Sequence, residues 1–249
     1  NSKSLTNNDV TCIYEDRSGN LWIGTGEGLN KFDSANKTFE HFTRQPENAA
    51  GLSSDYVTCI YQDQSGFFWI ATYGGGLNKF DPVTKTFQRF THDPKKEGSL
   101  SNDIVSCVYQ DRSGILWVGT YGGGLNRLDR AKNKFTSFTM NDGLPNDCVQ
   151  GILEDTHGAL WLSTNKGLCK FNPKSLTFHN YDVSDGLQGD QFNPAVHVGG
   201  DGKFYFGGSN GFNAFFPDSI KDNPYIPPVV ITDFKVFEKS MGYGLMCNS

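Results

Sequence analysis

Leu21-Trp22-Ile23-Gly24-Thr25 returns as Phe68-Trp69-Ile70-Ala71-Thr72, Leu116-Trp117-Val118-Gly119-Thr120 and Leu160-Trp161-Leu162-Ser163-Thr164. A degenerate fifth copy is Phe204-Tyr205-Phe206-Gly207-Gly208. The aromatic anchors Trp22, Trp69, Trp117, Trp161 and Tyr205 are spaced 47, 48, 44 and 44 residues apart. A long fixed period means one supersecondary unit per repeat, and this one is near the span of a four-stranded propeller blade.

Each repeat divides into four short runs around its anchor. The first alternates, as in Val57-Thr58-Cys59-Ile60-Tyr61, and the second holds the tryptophan. The third reads Gly-Leu-Asn-Lys-Phe-Asp or a variant, at 28–33, 76–81 and 124–129. The fourth carries paired aromatics: Phe39/Phe42, Phe87/Phe90, Phe135/Phe138 and Phe178/Tyr181. Such runs, rich in β-branched and aromatic residues and bounded by turn residues, read as strands. No stretch sustains a helical period, so little helix is expected. The fold class is all-β: a β-propeller region over 1–225, a fragment of a larger propeller, with about five four-stranded blades at about 9–50, 56–98, 104–142, 148–185 and 191–217.

Strands one and two are joined by Asp16-Arg17-Ser18-Gly19, Asp63-Gln64-Ser65-Gly66, Asp111-Arg112-Ser113-Gly114 and Asp155-Thr156-His157-Gly158. A leading Asp accepts from backbone N–H groups ahead of it, and the Gly takes a left-handed conformation. Recurrent Asp also invites a calcium reading, but calcium needs six to eight converging oxygens and these carboxylates belong to separate blades. The tryptophans admit a sugar-platform reading too. Their place inside strands points instead to packing between blades.

Composition narrows the class. Hydrophobic residues make up 37% of the 249, enough for a sizeable core, and 29 glycines provide for many turns. The net charge is −5 with the signs interspersed and no Lys/Arg block, so nucleic acid is not an expected partner. No apolar run reaches membrane-span length. The start at Asn1-Ser2-Lys3 suits an excised piece. Cys12, Cys59 and Cys107 occupy one equivalent position in three repeats, beyond the roughly 7 Å Cα limit for a bridge, and read as small buried residues without disulfides. There is no CxxC, and with Cys148, Cys169 and Cys247 the cysteines leave the redox compartment open.

Catalytic motifs are absent. The five histidines fall at unrelated repeat positions, with no metal-ligand spacing and no Gly-x-Ser-x-Gly elbow. Tyr73-Gly74-Gly75-Gly76 and Tyr121-Gly122-Gly123-Gly124 run into strands, not into the helix start a phosphate cradle needs. No cofactor and no metal site is expected.

Antiparallel alternation places the second-to-third and fourth-to-first loops of every blade on one face. The candidate ligand-binding residues there are Tyr73, Tyr121, Tyr56, Asp103, Asn146, Asn165, Lys166, Gln191 and Asn193, beside Asp55, Asn102, Asp147 and Asp190. Aromatic rings among amides and carboxylates suit a saccharide, whose C–H faces stack and whose hydroxyls need donors and acceptors. The plainer reading is ordinary polar loops with blade-to-blade hydrogen bonds. A protein-interaction scaffold would favour a flat apolar loop face. A propeller-type lyase or hydrolase would favour His and carboxylates around the axis.

The units resemble the two-component regulator propeller repeat of bacterial sensor proteins, from residue 9 to about 217. The pattern is fullest at 111–129, Asp-x-Ser-Gly-x-Leu-Trp followed by Gly-Gly-Leu-Asn-Arg-x-Asp. The terminal repeat is marked by Gly186-Leu187-Gln188-Gly189-Asp190-Gln191-Phe192-Asn193 and Phe206-Gly207-Gly208-Ser209-Asn210-Gly211-Phe212. The segment 226–237, with Pro227-Pro228-Val229-Val230-Ile231, resembles the first strand of a following Ig-like domain, and 238–249 is set aside as a tail of cloning origin. The resemblance implies a non-enzymatic, periplasmic, extracytoplasmic propeller of an inner-membrane receptor, whose parent is a histidine kinase of the hybrid Bacteroidetes type that detects oligosaccharides. It also implies about seven blades in a closed propeller. Here the fifth unit reaches its third strand at 211–215 with no aromatic pair following. An open arc that pairs as a homodimer is expected, or an edge borrowed from 229–237.

Overall fold

A computed structural model of the chain describes residues 2–45, 47–48, 50–220, 235–236 and 239–240. Two units divide it, 1–219 and 220–249. In the first, every repeat is a separate antiparallel sheet in sequence order. Blade 1 holds β1 (Val10–Glu15), β2 (Leu21–Thr25), β3 (Gly28–Asp33) and β4 (Thr38–Phe42). Blade 2 holds β5 (Val57–Gln62), β6 (Phe68–Thr72), β7 (Leu77–Asp81) and β8 (Thr86–Phe90). Blade 3 holds β9 (Val105–Gln110), β10 (Leu116–Thr120), β11 (Leu125–Asp129) and β12 (Lys134–Phe138). Blade 4 holds β13 (Val149–Glu154), β14 (Leu160–Thr164), β15 (Gly167–Asn172) and β16 (Thr177–Tyr181). Blade 5 has three strands among the described residues, β17 (Phe192–Val198), β18 (Phe204–Gly208) and β19 (Gly211–Phe215). The only helix in this unit, among the described residues, is three short 3₁₀ turns, at Met140–Asp142, Val183–Asp185 and Pro217–Ser219.

The blades form a β-propeller arrangement. Each inner strand packs on the next, β1 on β5, β5 on β9, β9 on β13 and β13 on β17, with no comparable packing of β17 on β1 among the described residues. Leu21, Val10 and Ile13 on blade 1 and Phe212 on blade 5 stay exposed.

The core lies between blades. One cluster joins Trp22 and Leu29 of blade 1 to Phe68 and Phe80 of blade 2. The next joins Trp69 and Phe90 to Leu116 and Leu128. A third joins Trp117 and Phe138 to Leu160 and Phe171. The four tryptophans are each at most 1% exposed, so they are core residues and not a sugar platform.

The recurrent Asp has a second task that the turn reading did not anticipate. One carboxylate oxygen caps the turn, as Asp63 Oδ1 accepts from the N–H groups of Ser65 and Phe67. The other accepts the indole N–H six residues on: Asp16–Trp22 2.9 Å, Asp63–Trp69 2.9 Å, Asp111–Trp117 2.8 Å and Asp155–Trp161 3.0 Å. A buried indole needs such an acceptor. The Asp therefore fixes the turn and the core ring together, which accounts for its recurrence without a metal. The turn glycines Gly19, Gly66, Gly114 and Gly158 have φ of +80° to +88°, as the hairpin geometry requires.

The Asn of the third strand, buried in blades 1 to 3, is equally periodic. Asn30, Asn78, Asn126 and Asn213 each accept the backbone N–H of Thr6, Ser53, Ser101 and Gln188 in the incoming linker. Blade 4 has Pro145 at the linker position and Cys169 in place of the Asn. Proline has no N–H to donate, so an Asn there would lose this partner.

Cys12, Cys59, Cys107, Cys148 and Cys169 are free thiols. Burial pushes the thiols of Cys12, Cys107 and Cys169 up to about 12, so they stay protonated. Cys247 lies outside the described residues. In the second unit, β20 (Lys235–Val236) pairs with β21 (Lys239–Ser240), the latter within the stretch set aside as a tail. The remainder of 226–237, with the edge expected from 229–237, and the remainder of 238–249 also lie outside them.

Candidate functional site

Two loops from every blade meet on one face, joined by a hydrogen bond that repeats five times. The N–H of Gly26, Tyr73, Tyr121, Asn165 and Ser209 donates to the carbonyl of Asp9, Tyr56, Ile104, Cys148 and Gln191 respectively. The backbone is the same at each blade while the side chains vary, with only Tyr73 and Tyr121 alike among the five donors. Scaffold positions such as the Asp–Trp pair repeat, so variation at this ring is where the propeller can afford individual chemistry.

The inner strands carry the ring inward through a bulge at Thr11, Thr58, Ser106 and Gln150, where the ladder register shifts by one residue. A bulge re-aims a side chain. Around the bulges lies a concavity of ≈ 380 Å³, lined by residues of all five blades from Asp9 to Pro194.

One half of this mouth is aromatic. Tyr56 and Tyr73 lie 5.8 Å apart, tilted by 58°, and Tyr121 lines the same wall. Their exposures of 42%, 57% and 46% leave ring faces open to a ligand. An amide pair adjoins Tyr121. Gln150 Nε2 donates to Asn165 Oδ1 at 2.8 Å, and Asn165 Nδ2 donates to Tyr121 Oη at 3.2 Å.

The structure brings together Tyr56, Tyr73, Tyr121 and Asn165. The other expected residues lie elsewhere in the loop architecture. Asp103 Oδ1 accepts the N–H of His92 at 2.6 Å, and its carbonyl accepts that of Gly76. Asn146 and Asn193 cap their own loops, accepting from Cys148 and Ala195 two residues on. The side chains of Asp103, Asn146 and Asn193 are thus bound to backbone, the plainer of the two readings. Gln191 contributes its carbonyl to the ring bond from Ser209. Lys166 lines a separate groove with Pro145, Tyr181, Asp182 and Asp190. Asp55 and Asp147 repeat the role of Asp103, accepting from Arg44 and Met140. Sequence reasoning missed Gln150, and the signal was available: it stands where blades 1 to 3 carry Thr or Ser.

At the opposite end the inner strands close over a packed row. Tyr14, Tyr61 and Tyr109 follow one another 6.4 and 6.3 Å apart, their rings tilted by 54° and 49°. Burial, and then the carboxylate of Glu154, push the Tyr109 phenol well above its ordinary range, and it donates to Glu154 Oε2 at 3.2 Å. Among the described residues no cluster of His, Cys, Asp and Glu could hold a metal ion, and no helix is long and apolar enough to cross a membrane.

The two component regulator propeller model matches residues 4–27, 51–74, 99–122 and 143–166. Each match runs from the linker through the tryptophan strand to the loop that forms the ring. The chain is 33% identical to the extracellular domain named for a hybrid two component system of B. thetaiotaomicron, with a TM-score of 0.76 over 94% of this chain and 32% of that one. A second such domain from B. thetaiotaomicron shares the fold at 24% identity and a TM-score of 0.73, covering 85% of this chain and 30% of that one. An 85-residue stretch, 33% of the chain, is 39% identical to histidine kinase P4 of Formosa agariphila and covers 6% of it. The chain thus spans about a third of the length of the solved relatives and a small part of the curated one. In four of its five blades the chain matches the two component regulator propeller repeat, the family that the sequence resembles.

Proposed function

We propose that this propeller is the ligand-sensing part of a two-component receptor, and that its ligand is a saccharide held at the mouth of the inner strands. The observation that carries the reading is the mouth itself. Three half-exposed tyrosines and Gln150 line it, and Asn165 bridges Gln150 to Tyr121. Open aromatic faces stack on sugar C–H groups, while amides and phenols match hydroxyls. The receptor would be anchored in the inner membrane with this part in the periplasm, and binding would be transmitted to a cytoplasmic histidine kinase outside this chain. The extracellular naming of the solved relatives and the kinase naming of the curated one support that placement.

Calorimetric titration of the chain against an oligosaccharide panel tests the reading. Tyr73→Ala and Tyr121→Ala are expected to weaken binding at least tenfold while the melting temperature stays within about 2 °C. Unchanged affinity in both variants moves the site off this face.

A further inference from the structure

Blade 4 departs from the repeat at the mouth. In blades 1 to 3 the bulged residue is a short hydroxyl that staples its blade to the next. Thr11 Oγ1 donates to the carbonyl of Val57 at 2.5 Å, Thr58 Oγ1 to that of Val105 at 2.6 Å, and Ser106 Oγ to that of Val149. In blade 4 the bulge carries Gln150, whose amide turns back onto its own blade and bonds Asn165. Asn165 itself stands where blades 2 and 3 place Tyr73 and Tyr121.

The resulting chain has a direction. Gln150 donates to Asn165, and Asn165 donates to the oxygen of Tyr121. With an oxygen lone pair of Tyr121 occupied from behind, its own O–H is left to donate forward, and hydrogen bonds in series polarise one another in the same sense. A ligand facing Tyr121 would therefore present an acceptor. Charge narrows it further. Among the residues lining the mouth the one charged side chain is Asp9, and no Lys or Arg is present. Lys166, the cation next in sequence to Asn165, lines the other groove with Asp182 and Asp190. A carboxylate or sulfate in the mouth would lose its hydration without gaining a cationic partner, and would face Asp9.

We infer that Gln150 and Asn165 are positioning residues that hold Tyr121 as a donor toward a ring or hydroxyl oxygen of a neutral saccharide. The inference rests on the saccharide reading above and adds the charge class of the ligand and the residues that orient its partner. The test titrates the full chain with two panels: neutral arabino-, xylo-, manno- and cello-oligosaccharides, and acidic oligogalacturonates and chondroitin sulfate oligosaccharides. The neutral panel is expected to contain the tightest binder, at least tenfold ahead of any acidic sugar. For that binder, Tyr121→Phe and Gln150→Leu each weaken affinity by about 3- to 10-fold, the scale of one hydrogen bond. The double variant is no weaker than the worse single one, because both remove the same donor. Tighter binding of an acidic sugar overturns the charge assignment and leaves the saccharide reading standing. Binding in neither panel overturns both. Losses that multiply in the double variant overturn the positioning role of Gln150.

Discussion

Trp117 is the place to test whether the stability of the propeller lies between its blades. It is fully buried, its ring 5.6 Å from Phe171 of the following blade and nearly perpendicular to it, with Phe138 at 6.1 Å. Its indole N–H donates to Asp111 Oδ2, a carboxylate only 4% exposed, and no other group among the described residues donates to that oxygen. Trp117→Phe keeps most of the ring and leaves this oxygen without its donor, a loss of about 1.5–3 kcal/mol for a hydrogen bond to a charged group. Trp117→Ala adds a void worth about 3–5 kcal/mol. Together these approach about 5–8 kcal/mol, against a whole-domain stability of about 5–15 kcal/mol. The Ala variant therefore sits at the edge of folding, and the Phe variant is the measurable one. Urea unfolding, with the denaturant slope checked for constancy, gives the loss. A double-mutant cycle with Asp111→Ala should recover a coupling of about 1.5–3 kcal/mol. A Phe variant within 0.5 kcal/mol (~) of the parent, together with zero coupling, refutes the shared role of Asp and Trp.

Four further outcomes are expected. Ser163 stands where the other blades carry Gly24, Ala71 and Gly119, and its hydroxyl is buried without a partner, so Ser163→Ala should raise stability by about 1 kcal/mol in urea unfolding. Gly124 has φ +74°, and a Cβ there would lie 2.0 Å from the carbonyl oxygen of Phe138, so Gly124→Ala should lower the melting temperature far more than Gly66→Ala, whose Cβ meets nothing. The thiols of Cys12, Cys107 and Cys169 rise from 9.0 to about 12 in the folded chain; the unfolded chain then releases protons first, so their contribution is whole below pH 9 and lost as pH rises toward 12. A melting temperature that declines over that window, and declines less in Cys→Ala variants, is the check. The chain alone should self-associate through the exposed apolar groups of its end blades, Ile13 and Phe212, and a monodisperse monomer in light scattering contradicts this.

The propeller was legible because each blade must solve the same packing problem. The tryptophan, the Asp turn and the aromatic pairs recur at fixed offsets, and the strands fall where those offsets place them. The coupling of Asp16 to Trp22 was not legible, since a gap of six residues spans a hairpin and matches no helical or strand period. The loop face followed from alternation alone, and Tyr56, Tyr73, Tyr121 and Asn165 lie on it. The backbone bonds of Asp103, Asn146 and Asn193 were not legible, because polarity in a loop serves a ligand and a backbone turn equally well. Gln150 escaped notice inside a strand, although its departure from Thr11, Thr58 and Ser106 at the same repeat position marked it.

The central claim is that the mouth of the inner strands holds the ligand. A crystal structure of the chain with the oligosaccharide that titrates most tightly tests it directly. The account predicts sugar density in the mouth, a ring against Tyr73 or Tyr121 and an oxygen within hydrogen-bond distance of Tyr121 Oη. Density confined to the groove along Lys31, Phe32 and Phe39 at the edge of blade 1, or to the groove at Lys166, would contradict it.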